Sequence, residues 1–178
     1  MKRIILLGLP KCGTMSFTES LASIGYNVGH WTNDKGEYIG KLIGRAYLEN
    51  KHLLEYVPEL NAITQMDYIS FDQFILPQVF LYKVLLKQNP DALFILNYRN
   101  VENHVKSICA WGDLLERLEL FGITNLEQFI SDHNSHIRKH YSGRKNFLEV
   151  DIENSNNETI SDFIGLNFKM SHTNKTII

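Results

Sequence analysis

Ile4-Ile5-Leu6-Leu7-Gly8-Leu9-Pro10-Lys11-Cys12-Gly13-Thr14-Met15-Ser16-Phe17 decides the fold of this chain. The unbroken apolar run Ile4 to Leu7 predicts a strand buried on both faces, as in parallel sheets. The run breaks at Gly8-Leu9-Pro10, and helix-compatible sequence resumes near Thr14 and continues to about Ile24. A strand, a tight glycine loop and a helix N-terminus together form an anion cradle. The first-turn N–H groups have no intrahelical acceptor, and the positive end of the helix dipole faces the loop. Lys11 adds a full charge, and Thr14 and Ser16 add hydroxyls. A phosphate-type ligand is the chemistry this pattern suits, although an ordinary βα turn with a stray lysine has the same local text.

The common nucleotide triphosphatase pattern G-x-x-x-x-G-K-[ST] places its lysine directly after the second glycine. Gly8 and Gly13 have that spacing, but Thr14 stands in the lysine position, and Lys11 precedes Gly13 by two residues. The order Pro10-Lys11-Cys12-Gly13-Thr14-Met15-Ser16 instead resembles the 5′-phosphosulfate loop of the sulfotransferases, commonly P-K-x-G-T-T. The usual second threonine is Met15 here, which removes one hydroxyl donor.

A second segment extends the resemblance. Ala92 to Tyr98 reads as another apolar strand, followed by Arg99 and a helical stretch from about Val101; Ser107 falls eight residues after Arg99. Tyr98-Arg99-Asn100-Val101 is similar to the family's C-R-N-P or V-R-D-P, in which a strand-end arginine and a serine at this spacing grip the 3′-phosphate. The physical logic stands beside the resemblance. An arginine at the carboxyl end of a parallel strand lies on the ligand-binding rim, and its planar fork matches phosphate oxygens. Alone, such an arginine is more often a surface ion-pair residue.

Weaker similarities cover most of the remainder. Gly25-Tyr26-Asn27-Val28-Gly29-His30 resembles the G-Y segment and following histidine of the small single-domain sulfotransferases. Met66-Asp67-Tyr68 and Asn89-Pro90-Asp91-Ala92-Leu93-Phe94-Ile95-Leu96 resemble their D-x-P and Y-P-D-A-K-F-I-L blocks. Phe147 to Asp151, Phe163-Ile164-Gly165-Leu166 and His172-Thr173-Asn174-Lys175 resemble the closing strand, the F-L-G-L helix and the H-x-N-K tail. The G-x-x-G-x-x-K motif of the cytosolic drug- and steroid-type enzymes is missing, so Lys175 is the candidate for the charge it would supply.

The resemblance implies an α/β fold of the P-loop-like sulfotransferase type, with helices on both faces of a parallel sheet. It also implies a 3′-phosphoadenosine 5′-phosphosulfate (PAPS) donor, released as the 3′,5′-bisphosphate (PAP). Lys11, Cys12, Gly13, Thr14, Met15, Ser16, Arg99, Ser107 and Lys175 are the expected donor contacts. Lys11 would also act catalytically, by neutralising charge that develops on the leaving phosphate oxygen. His30 is the first candidate for a general base toward a hydroxyl or amine acceptor. Asp67 is the second, either as base or as the group that orients His30. His104 is expected on a different helix face from Ser107, and Phe17 either beside the adenine or in the core. No metal site is expected.

The bulk numbers fit one globular domain over residues 1–178, with 44% hydrophobic and 21% charged residues. A net charge of −2 with no Lys/Arg run speaks against a nucleic-acid or acidic-membrane partner, leaving a small-molecule acceptor. Cys12 and Cys109 make no disulfide framework, and a reducing, cytoplasmic location is the expectation. Lys11 and the helix dipole are expected to lower the Cys12 pKa. A cysteine phosphatase needs C-x5-R, however, and Thr18 stands in the arginine position. The apolar N-terminal run is too short for a signal peptide or a membrane span.

Strands are predicted near 3–8, 26–30, 62–66, 92–98 and 147–151, and helices near 14–24, 35–55 (with a break), 71–88, 101–119, 124–140 and 157–165. Such alternation indicates a parallel sheet covered on both faces. Pro77 marks a kink or a late helix start. Trp111, Leu114, Leu118 and Phe121 are candidates for an acceptor pocket or for plain core. Two other functions stay open: a catalytically degenerate nucleotide-binding module of the same fold, and a nucleotide-dependent kinase with Asp67 as its strand-end acid.

Overall fold

The computed structural model describes residues 1–171, so Lys175 lies outside the described residues. Five parallel strands form the main sheet: β1 (Ile4–Leu6), β2 (Val28–His30), β3 (Ala62–Gln65), β6 (Leu93–Tyr98) and β7 (Phe147–Asp151), in the spatial order β2-β3-β1-β6-β7. Central β1 pairs Ile4 with Ala62 on one side and with Leu93 on the other. Its neighbours lead away in opposite directions, which places the topological switch point, where such sheets bind ligands, at its carboxyl end.

Alternation along the strands builds two cores. Ile5, Leu7, Ile63, Phe94 and Leu96 face one way, against α2 (Ile39–Leu48), α4 (Tyr82–Gln88) and α7 (Leu126–Tyr141). Ile4, Leu6, Ala62, Leu93 and Ile95 face the other, against α1 (Thr14–Ser23) and α8 (Asn157–Ile164). Phe17 is fully buried there, its ring centroid 5.7 Å from that of Phe168. It is therefore a core residue, and truncating such a buried ring typically costs about 3–5 kcal/mol.

Two expected helices divide. The stretch predicted as helix over 71–88 opens with the hairpin β4 (Tyr68–Ile69) and β5 (Phe74–Ile75), and helix begins only at α3 (Pro77–Phe80), with Pro77 in its first turn. The stretch over 101–119 splits into α5 (Val101–Cys109) and α6 (Leu114–Leu120), because Gly112 takes a left-handed φ of 54° between them. Leu114 and Leu118 are buried in a third cluster and Phe121 stacks on Phe74 at 5.0 Å, so these three are core rather than pocket. Among the described residues, no helix is long and apolar enough to cross a membrane.

Candidate active site

The five parallel strands end on one rim, and the loops leaving that rim carry most of the residues singled out by sequence. After β1 the chain turns through Leu7–Gly13 into α1. Lys11 holds φ at 71°, a left-handed conformation uncommon for a side chain with a Cβ and typical of strained functional turns. Gly13, also at 71°, opens α1 without a side-chain cap, whereas Asn100, Asn125 and Asn156 cap α5, α7 and α8. α2, α3, α4 and α6 likewise start without a side-chain cap, so the uncapped start of α1 is set apart only by the left-handed Lys11–Gly13 turn that leads into it.

Three buried side chains that sequence reasoning did not assign to the site brace this loop. Asn97, on β6, accepts from the Gly8 amide at 3.0 Å and donates to the Cys12 carbonyl at 2.7 Å. A Cβ on Gly8 would lie 2.2 Å from the Asn97 carbonyl oxygen, so no larger residue fits that approach. His104 sits 2.8 Å from the Pro10 carbonyl through Nε2, and His133 sits 2.8 Å from the Leu7 carbonyl through Nε2. A carbonyl only accepts, so Nε2 carries the proton in both rings. Burial is the main reason that both imidazoles are held down to about 4, and hence neutral. His104 and Ser107 are both buried on α5, three residues apart and on one face. That corrects the expectation that they diverge.

Cys12 also differs from expectation. Its thiol is buried, 3.4 and 3.5 Å from the two ring nitrogens of His104, and burial pushes it up to about 12 despite the opposing influence of Arg99. Desolvation outweighs the loop electrostatics, so Cys12 stays a neutral thiol. The Thr14 hydroxyl donates to Gln65 Oε1 at 3.1 Å rather than into the loop. Met15 and Ser16 follow in the first turn of α1, both half-buried.

Two cations stand on this rim. No carboxylate pairs with Lys11 among the described residues; its Nζ rests 4.9 Å from the ring centroid of half-exposed Trp111. Of the four pocket candidates, Trp111 alone reaches the site. Burial first, and the Arg99 charge second, draw the Lys11 ammonium below its ordinary value. Arg99 follows β6 directly and is bonded through Nε (3.1 Å) and Nη2 (2.8 Å) to Glu153 Oε1, just beyond β7.

The acceptor-side candidates lie at the ends of β2 and β3. His30 Nδ1 is 3.3 Å from Thr64 Oγ1, which meets Thr18 Oγ1 at 2.7 Å, and Thr18 donates to the Thr14 carbonyl at 2.8 Å. Burial lowers the His30 pKa, leaving a neutral ring at pH 7. Asp67 Oδ2 accepts from Gln65 Nε2 at 3.1 Å, and so connects through Gln65 to the Thr14 hydroxyl. Its Oδ1 is buried without a partner, and burial raises the carboxyl to about 6. No hydrogen bond joins His30 and Asp67 among the described residues, so two separate polar chains converge on Thr14. Around them Trp31, Tyr38 and Tyr68 form an aromatic group, with centroids 5.1 and 4.6 Å apart in sequence.

A family model described as the sulfotransferase domain matches residues 3–119, about two-thirds of the chain. The chain belongs to the sulfotransferase family. The match includes the loop after β1, His30, Asp67, Arg99 and Ser107; Glu153 and His133 lie beyond it. No curated protein matches the chain.

Proposed function

We propose that this sulfotransferase-family protein moves a sulfuryl group from PAPS to a hydroxyl or amine of a small acceptor. One observation carries the reading. Lys11 and Arg99 follow the carboxyl ends of the adjacent parallel strands β1 and β6, and the Arg99 charge adds to burial in lowering the Lys11 pKa. Two cations arranged in this way suit a ligand with anionic groups at two positions. The residues present fit the donor: Lys11 and the uncapped start of α1 suit its 5′ end, and Arg99 with Ser107 suits its 3′-phosphate.

When bound, the donor supplies an activated sulfuryl group. Lys11 Nζ and the loop amides are fixed in place to offset the charge that develops on the departing 5′-phosphate oxygen. His30, neutral and hydrogen-bonded through Nδ1 to Thr64, takes the acceptor proton at Nε2. Asp67 acts as a positioning group, linked through Gln65 to Thr14. The Trp31–Tyr38–Tyr68 group, in which Trp31 and Tyr68 directly follow His30 and Asp67 and Lys41 Nζ lies over both tyrosine rings, offers an aromatic surface with one cation to the acceptor.

Calorimetric titration with PAP beside ATP–magnesium tests the reading. Binding of PAP with little response to ATP is the expected result, and a preference for ATP refutes it. PAP binding with no transfer to a broad panel of alcohols, phenols, amines and sugars would make the protein a binding module.

A further inference from the structure

Arg99 is expected to receive the 3′-phosphate, yet it already grips an anion. Four donors converge on the Glu153 carboxylate. Arg99 Nε, Arg99 Nη2 and Asn103 Nδ2 reach Oε1 at 3.1, 2.8 and 2.9 Å, and the Asn100 amide at the start of α5 reaches Oε2 at 3.1 Å. A forked guanidinium, a helix-start amide and a side-chain amide are the donors with which proteins hold oxyanions. Glu153 is itself fixed from behind. Asp151, the last residue of β7, accepts from the Glu153 amide at 3.0 Å and from Asn154 Nδ2 at 3.0 Å. The contact is not a loose surface pair, because the Arg99 side chain is only 13% exposed.

We infer that Glu153 is a built-in competitor for the donor's 3′-phosphate. Its carboxylate closes the Arg99–Asn100–Asn103 clamp on itself and has to be displaced for the phosphate to enter. This rests on the reading above, in which Arg99 receives that phosphate. A carboxylate offers one negative charge and two oxygens, whereas a phosphate monoester offers up to two charges and three oxygens, so the phosphate can displace it. A nucleotide without a 3′-phosphate has nothing to exchange for Glu153 and leaves the clamp shut. The residue would therefore set donor affinity through the 3′ position alone, without touching the Lys11 loop.

The test is titration of PAP and of adenosine 5′-monophosphate, which lacks the 3′-phosphate, into wild type, Glu153→Gln, Glu153→Ala and Arg99→Ala. Denaturation midpoints show that each variant is folded. Glu153→Gln keeps the shape and removes the charge, so PAP should bind about tenfold or more tightly, since a like charge near a phosphate repels it even in high dielectric. Glu153→Ala should shift in the same direction, the monophosphate should bind all the Glu153 forms alike, and Arg99→Ala should lose PAP affinity. Unchanged or weaker PAP binding in both Glu153 variants, with wild type still binding PAP, overturns the competitor role and makes Glu153 a group that positions Arg99. PAP binding that is indifferent to Arg99→Ala places the 3′-phosphate elsewhere and also overturns it. Absence of PAP binding in every form refutes the donor site itself, and this inference with it.

Discussion

Acidification should loosen the protein through the two histidines beneath the Lys11 loop. Unfolded, each imidazole titrates near 6.5; folded, His104 and His133 are held at about 4 by burial. Between those values the unfolded chain takes up protons that the folded chain refuses, so stability falls as pH falls. From about pH 7.5 to about pH 5.5 each ring accounts for a loss of about 1.4 kcal/mol. Asp67 works in the opposite direction, since burial raises its carboxyl from 3.8 to about 6. Its penalty is complete above the folded value and relaxes as the carboxyl is protonated, returning about 0.8 kcal/mol over the same interval. These three groups together give a loss of about 2 kcal/mol, large beside the roughly 5–15 kcal/mol of a folded domain, and His30, whose pKa burial also lowers, acts in the same direction. Urea unfolding followed by tryptophan fluorescence at a series of pH values measures it directly. His133→Gln keeps a donor for the Leu7 carbonyl but does not titrate, so it should remove about half of the histidine share. A midpoint that stays level or rises down to about pH 5.5 would refute the reasoning, because it would mean that these rings charge freely in the folded state.

Other perturbations probe the loop and the chemistry. Asn97→Ala strands the buried Gly8 amide and Cys12 carbonyl; a loss of about 3 kcal/mol in denaturant unfolding is expected from two such groups, and a change below about 1 kcal/mol would contradict the bracing role. Gly8→Ala drives a methyl into the β6 backbone, so the chain should lose PAP binding together with its cooperative unfolding transition. Lys11→Ala should lower the rate of sulfuryl transfer by about a hundredfold to a thousandfold while PAP affinity, read by calorimetry, falls much less. His30→Gln should abolish the acidic limb of the rate profile, and a variant with the wild-type pH profile would remove His30 from the role of base.

The rim was legible in the sequence because its signals are local. A short apolar run broken at Gly8-Leu9-Pro10 reads as a strand meeting a turn, and Arg99 directly after Ala92–Tyr98 reads as standing at a strand end. The β4–β5 hairpin was not legible, because Phe71, Phe74 and Ile75 have the apolar spacing of a helix and the antiparallel pairing of Tyr68 with Ile75 leaves no mark on that pattern. Asn97, His104 and His133 escaped because each acts on a carbonyl or amide far away in sequence, as with His133 and Leu7. The one available hint was a polar Asn97 near the end of an otherwise apolar strand. Cys12 was misjudged for a related reason. Helix polarity and a nearby lysine can be read from order alone, but complete burial cannot, and burial decides its proton.

Asn97 has one more effect. It rivets the Lys11 loop to the strand that Arg99 directly follows, while the β1–β6 ladder already locks those strands in register from Ile4–Leu93 to Leu6–Ile95. The interval between the two cationic corners is thereby a backbone dimension, as fixed as the marks on a ruler. If the proposed donor binds here, its length between charged ends is gauged against that backbone interval.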